Sequence, residues 1–234
     1  QEGATGDAVF MNRFAQFFTT LQARILDAPL KSFLSEVSSI PGSIKYAHCI
    51  SAPPFGGKIA EERGSRARST FSVALEQVID RLTVRGRGVV LVPESMLFGH
   101  SGRQMRERLV AEGLLSTVIS LPAGVFLPYA GVKTSILVMD SGASPREVAF
   151  VDAAPYTMLG AKRSMTLDAE KLMGHLGSLD DQLRIVRIDR GTLIRDEIVD
   201  LSVARWLGLA VKVDGRTTRP DTIMPLRALV FGET

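Results

Sequence analysis

Apolar positions between Asp7 and Ser39 recur mostly at spacings of three and four (Phe10, Phe14, Phe17, Phe18, Leu21, Ile25, Leu30, Phe33, Leu34 and Val37), which predicts two helices hinged near Pro29. After a turn at Ile40-Pro-Gly-Ser, the run Tyr46-Ala-His-Cys-Ile50 reads as a strand stopped by Pro53-Pro54. The stretch from Phe55 to Arg68 is glycine-rich and basic and reads as an exposed loop. Ser69 is placed to cap a helix through Arg81 whose inner face is Phe71, Ala74, Leu75, Val78, Ile79 and Leu82. Arg85-Gly-Arg-Gly88 is expected to end it, and Val89-Val-Leu-Val92 is a continuous apolar strand of the kind covered on both faces. A helix over Gln104–Glu112 stops at Gly113, and strands follow at Ser116–Leu121, Val132–Met139 and Glu147–Val151.

Strands alternating with 10-to-15-residue helices imply a right-handed α/β unit. The two strands joined only by Pro122 to Gly131 leave room for one antiparallel member. Residues 166–209 read as small helices near Leu167–Leu176 and Leu193–Leu207, and 212–222 as a linker. The chain then ends within Met224-Pro-Leu-Arg-Ala-Leu-Val-Phe, which reads as the start of something further. The expected organisation is a helical segment at 1–40, an α/β domain at 41–152, a mainly helical extension at 153–211, and a linker with the start of another domain at 212–234.

Composition adds exclusions. The 234 residues are 45% hydrophobic and 23% charged, so disorder is excluded and an ample core is available. Cys49 alone cannot form an internal disulfide, and one cysteine with three scattered histidines (His48, His100, His175) cannot build a structural zinc site. No apolar run spans a membrane and no signal pattern opens the chain, so a cytoplasmic protein is expected. A net charge of +3 permits a polyanionic partner without demanding one. Phe55-Gly-Gly-Lys58 lacks phosphate-loop spacing, no dinucleotide fingerprint is present, and Ser101 is not in a nucleophile elbow.

The informative stretch is Ser51-Ala-Pro-Pro-Phe-Gly56 at the end of a predicted strand, where ligands bind in open α/β sheets. Two prolines make a stiff turn that fixes backbone carbonyls and one aromatic ring. By itself this is first of all a strand-ending turn. Three further features follow in order: Gly86-Arg-Gly-Val-Val-Leu-Val-Pro-Glu-Ser-Met-Leu-Phe98 after a helix, Arg106-Glu-Arg-Leu-Val-Ala-Glu-Gly-Leu-Leu115, and Ile119-Ser-Leu-Pro-Ala-Gly-Val-Phe126 with Gly131-Val-Lys-Thr-Ser-Ile-Leu-Val138. The ordered set over residues 47–140 resembles the modification subunits of type I restriction–modification systems, among the amino adenine DNA methyltransferases. Val199-Asp-Leu-Ser-Val-Ala-Arg-Trp-Leu207 looks like the segment closing that family's catalytic domain, and Pro225-Leu-Arg-Ala-Leu229 resembles the opening of a target-recognition domain.

The resemblance implies the second half of a Rossmann-like class I methyltransferase sheet with helices on both faces, flanked by the helical segment and a small C-terminal extension. It implies methyl transfer from S-adenosylmethionine to the exocyclic amine of an adenine in double-stranded DNA, with a specificity subunit or domain as partner. In the family pattern, an Asn, Asp or Ser and the first proline's carbonyl accept hydrogen bonds from the amine, and aromatic rings replace lost base stacking. Carried over, Ala52, Pro53, Pro54 and Phe55 form the catalytic motif, Phe55 stacks on the flipped base, Phe126 is the second aromatic wall, and Lys133 lies near a DNA phosphate. Lys58, Arg63, Arg66 and Arg68 are either a solvated loop or DNA-backbone contacts.

Two departures stand out. Ala52 cannot accept a hydrogen bond, and Ser51 points to the opposite side of a strand. The family's glycine-rich cofactor turn is not found upstream, since Gly3 to Asp7 lies too near the start and follows no strand. The expectation is therefore that the cofactor half is either missing or replaced by the helices of 7–39, and that this chain alone is weak or inactive. Two other readings compete: a non-catalytic module that keeps the fold to bind DNA or a specificity subunit, and a protein-glutamine methyltransferase, whose target is also a planar amide nitrogen. The match over Leu121–Val138 favours the DNA branch.

Overall fold

A computed structural model describes residues 6–10, 30–34, 44–59, 68–127, 130–159, 165–176 and 184–213. The chain divides into two compact units, residues 1–44 and 45–234. In the first, β1 (Gly6–Phe10) pairs in parallel with β2 (Leu30–Leu34). The helical expectation for 1–40 is corrected at these ten positions. Runs of five residues such as Leu30-Lys-Ser-Phe-Leu34 fit either period, and strand pairing decides between them. The rest of the expected helices, at 11–29 and 35–39, lies outside the described residues.

The second unit begins with β3 (Tyr46–Ser51), the short antiparallel pair β4 (Lys58–Ile59) and β5 (Arg68–Ser69), and helix α1 (Thr70–Arg81). The Ser69 side chain accepts the Phe71 N–H and caps α1 as expected. The chain leaves α1 straight into β6 (Leu82–Pro93), so Arg85-Gly-Arg-Gly88 is strand and not the expected stop. Close packing explains the glycines. A Cβ on Gly88 would lie 2.7 Å from Met139 Cε and 2.9 Å from Val78 Cγ1, so only glycine lets the helix and the neighbouring strand lie against β6.

Helix α2 (Ser95–Phe98), a 3₁₀ turn at His100–Gly102 and α3 (Arg103–Ala111) lead to β7 (Leu115–Ser120), β8 (Thr134–Asp140) and β9 (Glu147–Asp152). After a 3₁₀ turn at Ala154–Tyr156, β10 (Thr157–Leu159) pairs with β11 (Met165–Leu167). Helix α4 (Ala169–Leu176), β12 (Arg184–Asp189), α5 (Arg190–Arg195) and α6 (Val203–Val213) complete the described chain. The region 153–211 is thus less helical than expected, and its predicted second helix is two helices with a loop between. The expected linker and domain start beyond residue 213 lie outside the described residues.

Six strands form one sheet in the order β12-β9-β7-β8-β6-β3. Strands β3 and β6 are parallel, as are β7 and β9, whereas β8 runs antiparallel to both its neighbours. The β7–β8 connection, residues 121–133, holds no helix among its described residues to carry the chain across the sheet as a parallel crossover usually does, and β8 returns antiparallel. Alternate side chains divide the interior. Val90, Val92, Val118, Leu137, Met139 and Phe150 pack under α1, α3, α5 and α6, while Ile119, Val138 and Val151 pack with Tyr156 and Leu172 of the opposite layer. The mixed α/β fold with helices on both faces is as the sequence implied. Among the described residues, no helix is long and apolar enough to cross a membrane.

Candidate base-binding site

The carboxyl end of β3 is built on the first turn of α1. In the parallel ladder Ser51 is in register with Val90, on the face that packs under α1, whereas the following Ala52 is exposed. Pro53 is buried and Pro54 exposed. Gly56 adopts a left-handed φ of +75°, which glycine reaches without strain, and reverses the chain. The turn is tied to α1 by the Thr70 N–H, which donates to the Gly57 carbonyl at 3.2 Å. The Thr70 hydroxyl lies within 3.2 Å of the Pro54 carbonyl and 3.3 Å of the Gly57 carbonyl.

Phe55 leaves this turn half-buried and lies against Phe71, with ring centroids 5.8 Å apart. On its other side it meets Phe126, from the β7–β8 loop, at 5.7 Å and 61°. The two rings that the motifs single out, far apart in the sequence, are therefore neighbours, and each keeps partial exposure. Each also extends a different layer, Phe55 the core under α1 and Phe126 the opposite core. Their edge-to-face contact fills the gap between them. A planar ring held between two aromatic faces needs about 7 Å, twice a stacking distance of about 3.5 Å, so a sandwiched ligand must displace this contact. The exchange is favourable, because an aromatic pair contributes about 0.5–1.5 kcal/mol and a stacked base about 1–3 kcal/mol.

The charged residues are arranged differently from the expectation. Lys133 donates to Glu94, with Nζ 2.8 Å from Oε2, and the Glu94 N–H donates to the Lys133 carbonyl at 2.9 Å. A phosphate drawn to Lys133 must therefore share it with a carboxylate. Arg68 is bonded to Glu76 of α1, whereas Lys58 is exposed. Arg63 and Arg66 lie outside the described residues. Cys49 packs against the core, and burial pushes its thiol up, opposed by Arg81, which argues against a nucleophile there.

Two residues of the site were not singled out from the sequence. Glu94 was legible only as part of Pro93-Glu-Ser, and Thr70 only as the residue after a cap. Their partners, Lys133 and the Pro54 carbonyl, are supplied by the fold.

The described residues offer no glycine-rich turn open to a cofactor. The one paired glycine turn after a strand, Gly56-Gly57, offers no cradle, because a Cβ on Gly57 would stand 2.5 Å from Thr70 Cγ2 and that space is already filled. Among the described residues there is also no group of three or more His, Cys, Asp or Glu side chains able to hold a metal ion.

The N-6 DNA Methylase family profile matches residues 44–178, more than half of the chain. The "Type I restriction enzyme EcoEI methylase subunit" of Escherichia coli is 34% identical over 136 residues, covering 54% of this chain and 26% of that protein. The EcoKI methylase subunit of Escherichia coli K12 is 34% identical over 107 residues, covering 41% of this chain and 19% of its own length. This chain thus spans about a quarter or less of those relatives. In three dimensions it is similar to the methyltransferase subunit of a type I restriction-modification system from Streptococcus thermophilus, with a TM-score of 0.74 at 16% identity, over 88% of this chain and 55% of that one. A modification subunit of a putative type I restriction enzyme from Vibrio vulnificus YJ016 gives 0.60 at 16% identity, over 80% and 44%. At these identities the structural likeness establishes the fold.

Proposed function

The chain belongs to the N-6 DNA methylase family, and from that premise we propose that it carries the base-holding half of an adenine-specific DNA methyltransferase of a type I restriction–modification system. The observation that carries this reading is the contact of Phe55 with Phe126 beside the diproline turn at the carboxyl end of β3. An adenine turned out of the double helix enters between the two rings and exchanges its lost stacking for theirs. The Pro53 carbonyl accepts a hydrogen bond from the exocyclic amine and concentrates the nitrogen lone pair for methylation. Position 52 supplies no second acceptor, a loss of about 10²–10³ in rate. Lys133, shared with Glu94, and the exposed Lys58 steer the DNA backbone, as do Arg63, Arg66 and Arg68. The domain division expected from the sequence, with its base-binding α/β region at 41–152, goes with this proposal.

S-adenosylmethionine is the methyl donor that family membership implies. Alone, this chain transfers methyl groups weakly or not at all. Its partners are double-stranded DNA and a specificity subunit, as the resemblance to type I modification subunits implies. The relatives reported above do not favour the protein-glutamine reading, and restoring an acceptor with Ala52→Asn is expected to leave the isolated chain inactive.

The test is binding to an oligodeoxynucleotide carrying one 2-aminopurine between thymines. Stacking on the rings quenches the analogue. Phe55→Ala and Phe126→Ala are each expected to weaken base-dependent binding by about tenfold to a hundredfold, the equivalent of one stack. A double variant that binds and quenches as the parent does would overturn the site. Calorimetric titration showing micromolar binding of S-adenosylmethionine would overturn the inactivity.

A further inference from the structure

We propose that Thr70 is the positioning residue of the base site, its hydroxyl setting the direction of the Pro54 carbonyl and through it the Phe55 ring. The inference rests on the base-holding reading above. Prolines 53 and 54 fix two φ angles, but proline leaves ψ free. The ψ of Pro54 decides where the next peptide, and hence Phe55, is aimed. The Pro54 carbonyl reports that angle, and the Thr70 hydroxyl sits 3.2 Å from it. Thr70 is only 4% exposed, so water does not compete for the bond.

The surroundings make the device specific. The same hydroxyl reaches the Gly57 carbonyl at 3.3 Å, and the Thr70 N–H donates to that carbonyl at 3.2 Å, so residues 54–57 are pinned at both ends to one residue. The Thr70 methyl occupies the place of a Cβ on Gly57, which holds the two backbones at fixed separation. On either side, Ser69 caps the helix and Phe71 supports the Phe55 ring. The first turn of α1 thus anchors a turn whose own residues cannot fix it.

Thr70→Val keeps the shape and removes the donor, while Thr70→Ser keeps the donor and removes the methyl group. With the full chain and the 2-aminopurine oligonucleotide, the valine variant is expected to weaken base-dependent binding and quenching by about two- to tenfold, the effect of one hydrogen bond. Binding to the matching abasic oligonucleotide stays at parental strength, and Thr70→Ser restores quenching. Circular dichroism confirms that each variant is folded, and Thr70→Ala replaces valine if valine does not fold. Parental quenching in the donor-less variant, with quenching lost in Phe55→Ala, overturns the role of Thr70 while leaving the base site intact. Failure of Thr70→Ser to restore quenching overturns the hydroxyl's part. Unchanged quenching in Phe55→Ala overturns the base-site reading itself.

Discussion

Arg106→Met is expected to cost about 3–5 kcal/mol of stability, the largest effect of any single charged residue described here. The side chain projects from α3 into the interior, 2% exposed, and its guanidinium donates to five backbone carbonyls. Three belong to the α2 turn: Met96 at 2.8 Å, Gly99 at 2.7 Å and Phe98 at 3.4 Å. The others are Val199 at 2.7 Å and Ile198 at 2.9 Å, on the loop between α5 and α6. Val199 has a φ of +45°, a conformation a β-branched residue adopts only when its neighbours impose it. Burial lowers the guanidinium's pKa, opposed chiefly by Asp200 and Glu107, with Arg103 acting alongside burial. Methionine matches the stem but leaves the carbonyls without donors. Denaturant unfolding followed by Trp206 emission measures the loss, and an unchanged midpoint would show that water replaces the guanidinium at no cost. Arg106→Lys is expected to fall between the two, since an ammonium has fewer donors.

Trp206→Ala is expected to cost about 3–5 kcal/mol, the range for deleting a large buried aromatic side chain. The indole is 5% exposed, lies 5.9 Å from the fully buried Phe150 of β9, and donates Nε1–H to the Asp200 carbonyl at 2.7 Å. Arg205 covers the ring at 5.1 Å and pairs with Asp196 at 2.9 and 3.0 Å. Trp206 is the only tryptophan, so circular dichroism replaces fluorescence as the readout. Arg106 and Trp206 hold consecutive carbonyls of one loop, at positions 198, 199 and 200. The double variant should therefore lose less than the sum of the two losses. Strict additivity would show that the loop has two independent anchors.

Much of the second unit was legible in local pattern. The Ser69 cap and the apolar spacing of α1, the β-branched runs of β6, β7 and β8, and the reversal after a connection without a helix depend on residues close in sequence. The site was legible as a motif, because paired prolines and an aromatic residue at a strand end limit their own backbone.

What the sequence by itself determined, then, is the type and order of most elements and the chemistry available at one strand end. Partners were decided only by tertiary structure. Arg184-Ile-Val-Arg-Ile-Asp189 carries three charges and reads poorly as a strand until β9 offers it an antiparallel ladder. Arg106 reads as one more charge on a polar helix until the neighbouring α2 turn and the remote loop at 198–199 surround it with carbonyls. Lys133 reads as a free cation until the sheet sets it beside Glu94. The physical reason is common to all three. Periodicity encodes which face of an element is apolar, but a hydrogen-bond or ion-pair partner is fixed by where a remote segment ends, and chain folding alone brings it there.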